Sequence, residues 1–434
     1  MSAMMGVLFG SLFGMLAVGA WVGIALIATS MVLLWSFRHL PVDRLFAQYT
    51  FNIMTTPELV ALPLFILMGE FLFRTRLSRS LFNGLSPWAA LLPGRLVHVN
   101  VIGCTIFAAI SGSSAATTQV VGRIALNELR QRGYDKRIAI GSLAGAGTLG
   151  FLIPPSSIMI IYGVLADESV LRLFTAGFLP GLLLAGCFMA WVMIHTSLDP
   201  SLLPAQSAEE LNLTLRQRFA ALKELAPTLF LILCVLGSMY AGIATPSEAA
   251  AVGVLGAVLI TWLQGELSWP VLKAVGIGAA QTCGMIGLIV LGASILGNVA
   301  AILGVPRQVA AVVSEWGLSP LMLILALTVL YIVLGCFLDG FSMIVMTLPV
   351  VLPLALAAGF DKLWFGIYLV LAVEMSQITP PVGFNLFVIQ GLTGESLSSI
   401  ARMTLPYLLI MVLFVFLLAA FPGIVAILPA LLLG

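Results

Sequence analysis

Long apolar runs separated by short polar connections make up most of this chain. The first run, residues 6–37, is almost wholly apolar and has Gly19 and Gly23 near its centre. It is long enough for one tilted helix, but we favour two short helices because the second half of the chain needs a matching pair. The last run predicts a single helix over 400–430. This pattern predicts an all-α, polytopic membrane protein.

Two of the apolar runs contain residues that are poorly suited to a continuous helix. The run over about 138–166 contains Gly-Phe-Leu-Ile-Pro-Pro-Ser, ending at Ser156, and the run over about 363–391 contains Ile-Thr-Pro-Pro-Val-Gly, ending at Gly383. Proline removes a backbone donor and clashes with the preceding turn, while glycine loosens the backbone. In hydrocarbon, such a break is tolerated only where the freed groups face protein, water or a bound solute. Two corresponding breaks indicate the binding site of a secondary transporter.

The two broken segments belong to an internal duplication. Pro380 follows Pro154 by 226 residues, and the same interval separates Gly359 from Gly133, which begin Gly-Phe-Asp-Lys and Gly-Tyr-Asp-Lys. A Leu-Pro pair after each break repeats at this interval as well. Several matches in the same order are difficult to assign to chance. The sequence therefore predicts two repeats, residues 1–197 and 226–434, joined by a cytoplasmic connector at 198–225.

Each repeat also contains an apolar run with a polar tip in its middle. In the first repeat, residues 95–121 contain Ile-Ser-Gly-Ser-Ser at 110–114. In the second repeat, residues 319–358 contain Gly-Cys-Phe-Leu-Asp-Gly-Phe-Ser at 335–342. Two short arms that meet at such a tip predict a re-entrant helical hairpin that reaches partway across the membrane. Each repeat is thus expected to consist of a hairpin followed by a discontinuous helix.

Basic residues orient the two repeats in the membrane. The stretch between the first hairpin and the first broken helix contains five of them, whereas the equivalent stretch, 347–364, contains only Lys362. By the positive-inside rule the first connection is cytoplasmic and the second is not. The repeats are then inverted relative to each other, which is the geometry of alternating-access carriers. The five basic residues are Arg123, Arg130, Arg132, Lys136 and Arg137.

Composition excludes several classes of function. Of the 434 residues, 61% are hydrophobic and 9% are charged, whereas soluble domains have roughly 25% charged residues. The net charge of +1 and the lack of a long basic run argue against nucleic-acid binding. The five cysteines lie singly in apolar segments without CxxC spacing, which indicates buried thiols rather than disulfides or a metal site. The N-terminal apolar run lacks a basic n-region and is expected to remain as membrane helix.

Several motifs, in order over nearly the whole chain, resemble those of the large membrane subunit of the tripartite ATP-independent periplasmic (TRAP) transporters. They include Leu-Pro-Leu-Phe-Ile-Leu-Met-Gly-Glu ending at Glu70, Ser-Gly-Ser from Ser111, Ile-Pro-Pro-Ser ending at Ser156, Thr-Pro-Ser-Glu-Ala-Ala from Thr245 and Thr-Pro-Pro-Val-Gly ending at Gly383. The resemblance implies sodium-gradient-driven import of a small organic anion, a carboxylate or related acid. It also implies an elevator-type movement of a transport domain against a fixed scaffold.

The same resemblance implies partners and a location. A periplasmic binding protein would deliver the substrate, and a small four-helix membrane subunit, expected here as a separate chain, would pack against this one. The chain would be a multi-pass protein of the bacterial inner membrane, surrounded by lipids, with sodium as coupling ion and no other cofactor. Relatives often continue with Ala-Asp after Ser-Gly-Ser, whereas this chain has Ser114, Ala115 and Ala116. The first tip therefore offers hydroxyls and carbonyls but no acid.

Hydroxyls and carbonyls at the tips and breaks suit sodium, a hard cation that prefers oxygen ligands. Each predicted sodium site combines one tip with the break of the same repeat. Half-helix N-termini after the breaks suit an anionic substrate. Glu374, an intramembrane acid, is expected to support the second site, to bind a proton or to form a structural hydrogen bond. The candidates are Ser111, Ser113, Ser114, Gly145, Thr148, Gly150 and Pro154 for the first sodium site, Asp339, Ser342, Ser376, Thr379, Pro380 and Gly383 for the second, and Ser156, Ser157 and Asn385 for the substrate.

Other interpretations of these residues stay open at this stage. Small and hydroxylated residues at such spacings also serve helix packing in membranes. A membrane enzyme is disfavoured because the first tip lacks the second glycine of a nucleophile elbow and the chain has no HExxH motif. A channel is disfavoured because one chain contains two inverted halves. The strongest alternative is a stand-alone hairpin-fold symporter or antiporter that works without a binding protein.

Overall fold

A computed structural model describes residues 2–37, 42–74, 77–205, 214–305, 308, 311, 319–380 and 383–433. The regular secondary structure in these ranges is entirely helical, as the apolar pattern predicts. Within the described ranges, six helices are long and apolar enough to cross a membrane, or up to eight if each of two strongly bent helix pairs forms one span. The middle of the predicted connector and residues 381–382 of the second break lie outside these ranges.

The N-terminal apolar run forms two short helices, as predicted. The chain turns between them at Gly19, whose φ of +82° lies in the left-handed region that glycine adopts without strain. An amphipathic helix then forms the first part of a bent pair, and the axis turns by 58° before the second part enters the membrane. These first helices are α1 (Ser2–Ala17), α2 (Val22–Phe37), α3 (Val42–Met54), a 3₁₀ turn (Pro57–Val60) and α4 (Ala61–Phe73).

These helices pack against three helices from the second half, α13 (Ala226–Tyr240), α14 (Pro246–Leu263) and α15 (Trp269–Ile302). The seven helices form a scaffold, defined here as α1–α4 with α13–α15. The tightest contact joins α2 to α15, where glycines let the backbones touch. A Cβ added to Gly23 would lie 2.6 Å from the Leu288 carbonyl oxygen, and one added to Gly292 would lie 2.6 Å from the Gly23 carbonyl oxygen.

The first repeat contains the predicted hairpin and broken helix. The second hairpin arm is longer than expected, because residues beyond 121 continue an amphipathic face that buries Ala125 and Leu129 and exposes Arg123 and Arg130. The break interrupts the next helix for four residues before Ser157. The elements are α5 (Leu77–Ala89), the hairpin arms α6 (Val97–Ser111) and α7 (Ser114–Gln131), the broken helix α8 (Lys136–Gly147), α9 (Leu149–Leu152) and α10 (Ser157–Ala166), then α11 (Val170–Leu198) and α12 (Leu215–Leu222).

The second repeat has the same order of elements. The prediction of one helix over 400–430 is wrong, because the helix ends before Phe421 and a new one begins at Gly423. Proline disfavours the helical conformation of the residue before it, and Phe421, which precedes Pro422, has φ −126° and ψ 67°. The elements are α16 (Pro320–Leu334), α17 (Gly340–Ala357), α18 (Lys362–Gln377), α19 (Phe384–Thr393), α20 (Leu397–Ala420) and α21 (Gly423–Leu433).

The two broken helices run antiparallel through the centre of a hairpin bundle, defined here as α6–α11 with α16–α21. At one end, Lys136 at the start of α8 forms an ion pair of 2.8 Å with Glu395, just after α19. At the other end, the Tyr162 hydroxyl of α10 donates a hydrogen bond of 2.7 Å to the carbonyl of Lys362, the first residue of α18. The start of each broken helix therefore lies beside the end of the other. This confirms the predicted inversion of the two repeats.

Candidate functional site

A buried polar network joins the first hairpin tip to both broken helices. The Ser114 hydroxyl, at the start of α7, lies 3.0 Å from the Gly147 carbonyl oxygen and 2.8 Å from Glu374 Oε2. The Asn385 side-chain amide donates to the same hydroxyl at 2.7 Å. The other Glu374 oxygen accepts the backbone N–H of Phe151 at 2.8 Å. One hydroxyl thus connects residues of both repeats at the middle of the bundle.

Local sequence explains how this network forms. Ser113 caps α7 by accepting the N–H of Ala116, which places Ser114 in the first turn and directs it into the bundle. Gly150 lets the first break approach the tip, because a Cβ there would lie 2.5 Å from the Ser114 Cα. Glu374 is fully buried on α18. A buried carboxyl group requires partners to offset the loss of hydration, and the backbone N–H of Phe151, in the short helix α9 just before the break, is one of them.

The backbone of the first tip fits directly onto the first break. Gly112 ends α6 with φ +55°, a conformation that side chains other than glycine adopt at a cost. Its carbonyl accepts the N–H of Ser157, the first residue of α10, at 3.3 Å. A Cβ on Gly112 would lie 2.8 Å from the Pro155 carbonyl oxygen. The tip therefore holds one of the backbone groups that the proline break leaves free.

The second tip packs against the second break in a related way. The Asp339 carboxylate caps α17 by accepting the N–H groups of Phe341 and Ser342, and it also accepts the Ser342 hydroxyl at 2.6 Å. Gly335 lies against Ser376, where any added Cβ would overlap the serine side chain. The Thr379 hydroxyl donates to the carbonyl of Met375 at 2.7 Å. These hydroxyls are thus engaged locally, in contrast with Ser114 at the first tip.

A cavity of about 570 Å³ lies between the hairpin bundle and the scaffold. Ser111 and Ser113 of the first tip and Ser157 of α10 line it on the bundle side, together with Phe341 beside the second tip. Helices α4 and α15 line it on the scaffold side. Both tips therefore meet at one cavity, which separates two packed bodies.

A second cavity, of about 640 Å³, continues the first along α7. The two share Phe73, Gln119 and Arg123. The second cavity extends to Asn127 and Glu128 near the end of α7. Together they form a path from the first tip to the connection that the distribution of basic residues assigns to the cytoplasm.

Several of the predicted site residues make contacts that differ from the predicted ones. Glu374 was grouped with the second site, but its carboxylate contacts the first tip and the first break. Asn385 belongs to the same network and does not line either cavity. Thr148 donates to Gly145 and faces Met411, while Gly145 lies against Tyr407. Neither residue contacts the first tip, because both lie on the opposite side of the helix.

Other candidates keep the predicted surroundings. Ser111, Ser113 and Ser157 line the cavity, and Gly150 touches the tip. Ser156 is buried and caps α10 by accepting the N–H of Met159. The remaining candidates lie at the predicted breaks and second tip, where Pro154 is buried, Pro380 is exposed and the Gly383 N–H donates to the Thr379 carbonyl at 3.0 Å.

Two cavity residues, Gln119 and Arg123, were not among the predicted site residues. They follow Ala115 of the tip at intervals of four, so they lie on one face of α7. Helical spacing from the tip could have identified them. Arg123 has no ion pair among the described residues, whereas Arg74 at the mouth of the second cavity is paired with Glu70 at 3.1 Å. The path from the tip therefore contains an arginine that is free to meet an anion.

The central network offers an oxygen-rich donor set for a hard cation. It contains the Ser114 hydroxyl, the Gly147 carbonyl and the Glu374 carboxylate. Asn385 Oδ1 is buried in the same place and has no hydrogen-bond partner within the described part of the chain. Such oxygens are the ligands that sodium and related ions take in proteins. The residues present therefore fit the coupling ion that the family resemblance implies.

Two antiparallel broken helices, with both hairpin tips at one cavity, define the class of inverted-repeat secondary carriers. The sequence profile described as "Tripartite ATP-independent periplasmic transporter, DctM component" matches residues 9–424. The chain therefore belongs to the TRAP transporter family, as its large permease component. Members of this family are transporter subunits, so the chain is not an enzyme, as predicted.

Individual proteins agree with this assignment. The chain is 34% identical, over 86% of each sequence, to the "C4-dicarboxylate TRAP transporter large permease protein DctM" of Pseudomonas aeruginosa. It is 32% identical, over 93% of this chain and 63% of the other, to the "Isethionate TRAP transporter permease protein DctMQ" of Oleidesulfovibrio alaskensis. The solved structure of the Alcanivorax borkumensis YdaH transporter has the same fold, with a TM-score of 0.59 at 15% identity over 88% of each chain.

Proposed function

We propose that this chain is the membrane permease of a sodium-coupled carrier that imports a small organic anion delivered by a periplasmic binding protein. The observation that carries this proposal is one cavity between the bundle and the scaffold, which is lined by residues of both tips and by Ser157 and Phe384, the first residues of the helices after the two breaks. Such a cavity can open to either side when one body moves against the other. Broken helices supply the ion and the substrate with backbone groups that continuous helices would keep occupied.

The central network is the proposed first sodium site. Ser114, the Gly147 carbonyl, Glu374 and Asn385 would supply its oxygens. The first tip lacks the acid that relatives often have in Ala-Asp after Ser-Gly-Ser, and Ala115 stands in its place. The Glu374 carboxylate reaches the same tip from the second repeat, so it can supply the missing negative charge. The proposed second site lies at the second tip and break, around Asp339 and Thr379.

The cavity is the proposed substrate site. The hydroxyls of Ser113 and Ser157 line it, with Gln119 and Arg123 on the neighbouring face of α7. An arginine binds carboxylate or sulfonate oxygens through two parallel N–H groups. The two relatives compared above carry names for C4-dicarboxylate and isethionate, both small organic acids. Their names favour an anionic substrate here, and so does Arg123, which has no ion pair in the part of the chain that the structure describes.

An elevator movement would alternate access to this cavity. In the present conformation the path from the tip runs along α7 toward its end, at the connection assigned to the cytoplasm by its five basic residues. The structure would then be the state that releases substrate inward. A small four-helix subunit, as a separate chain or domain, would hold the scaffold in the bacterial inner membrane while the bundle moves.

Reconstitution in liposomes tests the proposal. The chain would be combined with candidate small subunit and binding protein, and uptake of radiolabelled succinate or isethionate would be measured with and without an inward sodium gradient. We expect uptake only when the gradient and the binding protein are both present. Equal uptake without the binding protein would favour a stand-alone carrier, and equal uptake without sodium would exclude the coupling ion.

A further inference from the structure

A third cavity, of about 450 Å³, lies where α8 and α20 begin and α11 ends. Neither hairpin tip lines it. The described residues that line it include two arginines, Arg137 and Arg402, and no acid. The transport pathway proposed above does not use this cavity. Its lining also includes the polar residues Trp191, His195, Ser398 and Tyr407.

The charge in this cavity is only partly neutralised. Arg137 forms an ion pair of 3.0 Å with Asp135, which caps α8 outside the membrane span. Burial alone would raise the pKa of Asp135, but hydrogen bonds and the charge of Arg137 lower it below its usual value, so this carboxylate stays ionised at neutral pH. Arg402 is exposed and has no ion pair within the described ranges. The cavity therefore retains a net positive charge.

Two buried donors near the arginines have no partner in the described structure. They are Trp191 Nε1 and the Tyr407 hydroxyl, and Tyr407 is only 2% exposed. A Cβ added to Gly145 would lie 2.8 Å from Tyr407 Cβ, and one added to Gly141 would lie 3.0 Å from Tyr407 Cε2. The ring therefore extends from Gly145 toward Gly141, which is one helical turn from Arg137. A buried donor without a partner is costly, so an acceptor bound in this cavity would remove the cost.

The surface around the cavity is apolar on the membrane side. On α11, Leu183 and Ile194 are 40% and 53% exposed, and on α20, Leu405 and Leu409 are 51% and 54% exposed. The first pair is spaced by eleven residues and the second by four, so each pair lies on one face of its helix and marks a stripe that runs from the cavity into the membrane. A cationic cavity between two apolar stripes matches a lipid, which has an anionic headgroup and two acyl chains. A free phosphate ion has no apolar part that could contact the stripes.

The position along the membrane normal agrees with a lipid headgroup. Lys136 pairs with Glu395 beside the cavity, and the Asp135 N–H donates to the Leu202 carbonyl at 3.0 Å. These residues flank the connection that the positive-inside rule assigns to the cytoplasm. The cytoplasmic leaflet carries anionic lipids, and basic pockets between helices on that side bind their headgroups.

We propose that this cavity is a binding site for an anionic phospholipid of the cytoplasmic leaflet. The phosphate would accept hydrogen bonds from Arg402, Arg137 and the Tyr407 hydroxyl, and the acyl chains would lie along the stripes of α11 and α20. The α20 N-terminus begins beside the cavity and adds partial positive charge. The lipid would thus join the first half of the bundle, through α8 and α11, to the second half through α20.

Native mass spectrometry of the purified full chain tests this site. After delipidation, the protein is titrated with palmitoyl-oleoyl phosphatidylglycerol or with the zwitterionic phosphatidylcholine of the same chains. We expect tight phosphatidylglycerol adducts that weaken about tenfold in Arg402→Gln and in Tyr407→Phe, since each loses a hydrogen bond to a charged group. Arg402→Lys should retain most of the binding. The matched control is Arg172→Gln, because Arg172 lies in the first turn of α11 at its far end.

Three outcomes would overturn the proposal. The first is equal affinity for the two lipids, and the second is unchanged phosphatidylglycerol binding in Arg402→Gln and Tyr407→Phe. The third is full displacement of the lipid by millimolar inorganic phosphate, which would show a simple anion site without a role for the acyl chains. None of these measurements requires transport, so the site stands or falls independently of the proposed function.

Discussion

At the scale of single residues, Glu374 distinguishes the two halves of this duplicated chain. Its equivalent in the first repeat is Thr148, which lies 226 residues earlier. Thr148 bonds to its own helix, whereas Glu374 reaches across the bundle to Ser114 and Phe151. The repeats are therefore equivalent in backbone but not in chemistry. One carboxylate of the second repeat thus contacts the tip and the broken helix of the first repeat.

Replacing Glu374 with glutamine tests the charge of this group. The amide keeps the shape and can still accept the Phe151 N–H, so we expect the protein to fold and insert. A hydrogen bond to a charged group contributes about 1.5–3 kcal/mol, and its loss should lower the sodium affinity by tenfold or more. The measurement is the sodium dependence of uptake in liposomes. The control is Glu395→Gln, whose exposed pair with Lys136 contributes at most about 1 kcal/mol; the same sodium dependence in both variants would contradict the assignment.

Replacing Arg123 with glutamine tests the proposed anion contact. The guanidinium has no ion pair in the described structure and faces the cavity, so its loss should raise KM for the substrate about tenfold with little effect on stability. Arg123→Lys should recover part of the affinity, because it keeps the charge but loses the planar pair of donors. Arg130→Gln, two turns further along α7 and outside both cavities on the path, serves as control. An unchanged KM in Arg123→Gln would remove this residue from the substrate site.

The partners of Glu374 and Asn385 show what sequence alone could not supply. Apolar length, the proline breaks and the 226-residue interval predicted where the chain would break and that the halves would oppose each other. They did not predict which side chains would meet across two antiparallel helices. That register depends on close approaches such as Gly150 against Ser114, and it is set by packing in three dimensions. Glu374 of the second repeat thus brings a carboxylate to the first tip, which has no acid of its own.

At the scale of elements, the hairpin tips and the breaks form one unit. The Gly112 carbonyl accepts a hydrogen bond from the N–H of Ser157, and the approach is so close that Gly112 has no room for a side chain. Element boundaries followed from local signals, since caps and glycines end most helices where the pattern predicted. The exceptions are the second arm of the first hairpin, which continues past residue 121 to Gln131, and the division between α20 and α21, where the prediction gave too little weight to Pro422 inside an otherwise apolar run.

Gly112→Ala should separate backbone strain from the fit of the tip. Any residue other than glycine at its φ of +55° pays roughly 1–2 kcal/mol. The alanine Cβ would also lie 2.8 Å from the Pro155 carbonyl oxygen, a backbone atom that cannot move alone. We expect transport to fall by more than tenfold. The measurements are the uptake rate and the thermal unfolding temperature.

Gly359→Ala is the matched control for this variant. Gly359 has φ +89° at the end of α17, and a Cβ there meets nothing within 4 Å. We expect Gly359→Ala to lower the unfolding temperature, because alanine is strained in the left-handed conformation. Its transport rate should stay near that of the unmodified chain. If Gly112→Ala transports as well as Gly359→Ala, the contact between tip and break has no role in the transport cycle.

At the scale of the whole molecule, the proposed elevator movement requires two bodies, the scaffold and the bundle, that can move against each other. The scaffold packs through close glycine contacts such as Gly23 against Gly292. The bundle is held together by the crossed broken helices. Helices α4 and α15 of the scaffold meet the bundle mainly at α6 and α17. The hydrophobic pattern predicted the elements, but the division into two bodies depends on which helices pack together, and this was not readable from the order of the chain.

A reversible cross-link between the two bodies tests whether they move against each other. A Cβ added to Gly297 of α15 would lie 3.8 Å from the Cβ of Pro349 in α17, which is the usual separation in a disulfide. In a background without the five native cysteines, Gly297→Cys with Pro349→Cys should lose uptake on oxidation and regain it on reduction. The control is Gly133→Cys with Pro204→Cys, also 3.8 Å apart by the same measure, but away from the contact of scaffold and bundle, because it joins the loop between α7 and α8 to the start of the connector after α11. Oxidation should leave its uptake intact, whereas full uptake by the completely cross-linked Gly297–Pro349 variant would rule out an elevator movement at this interface.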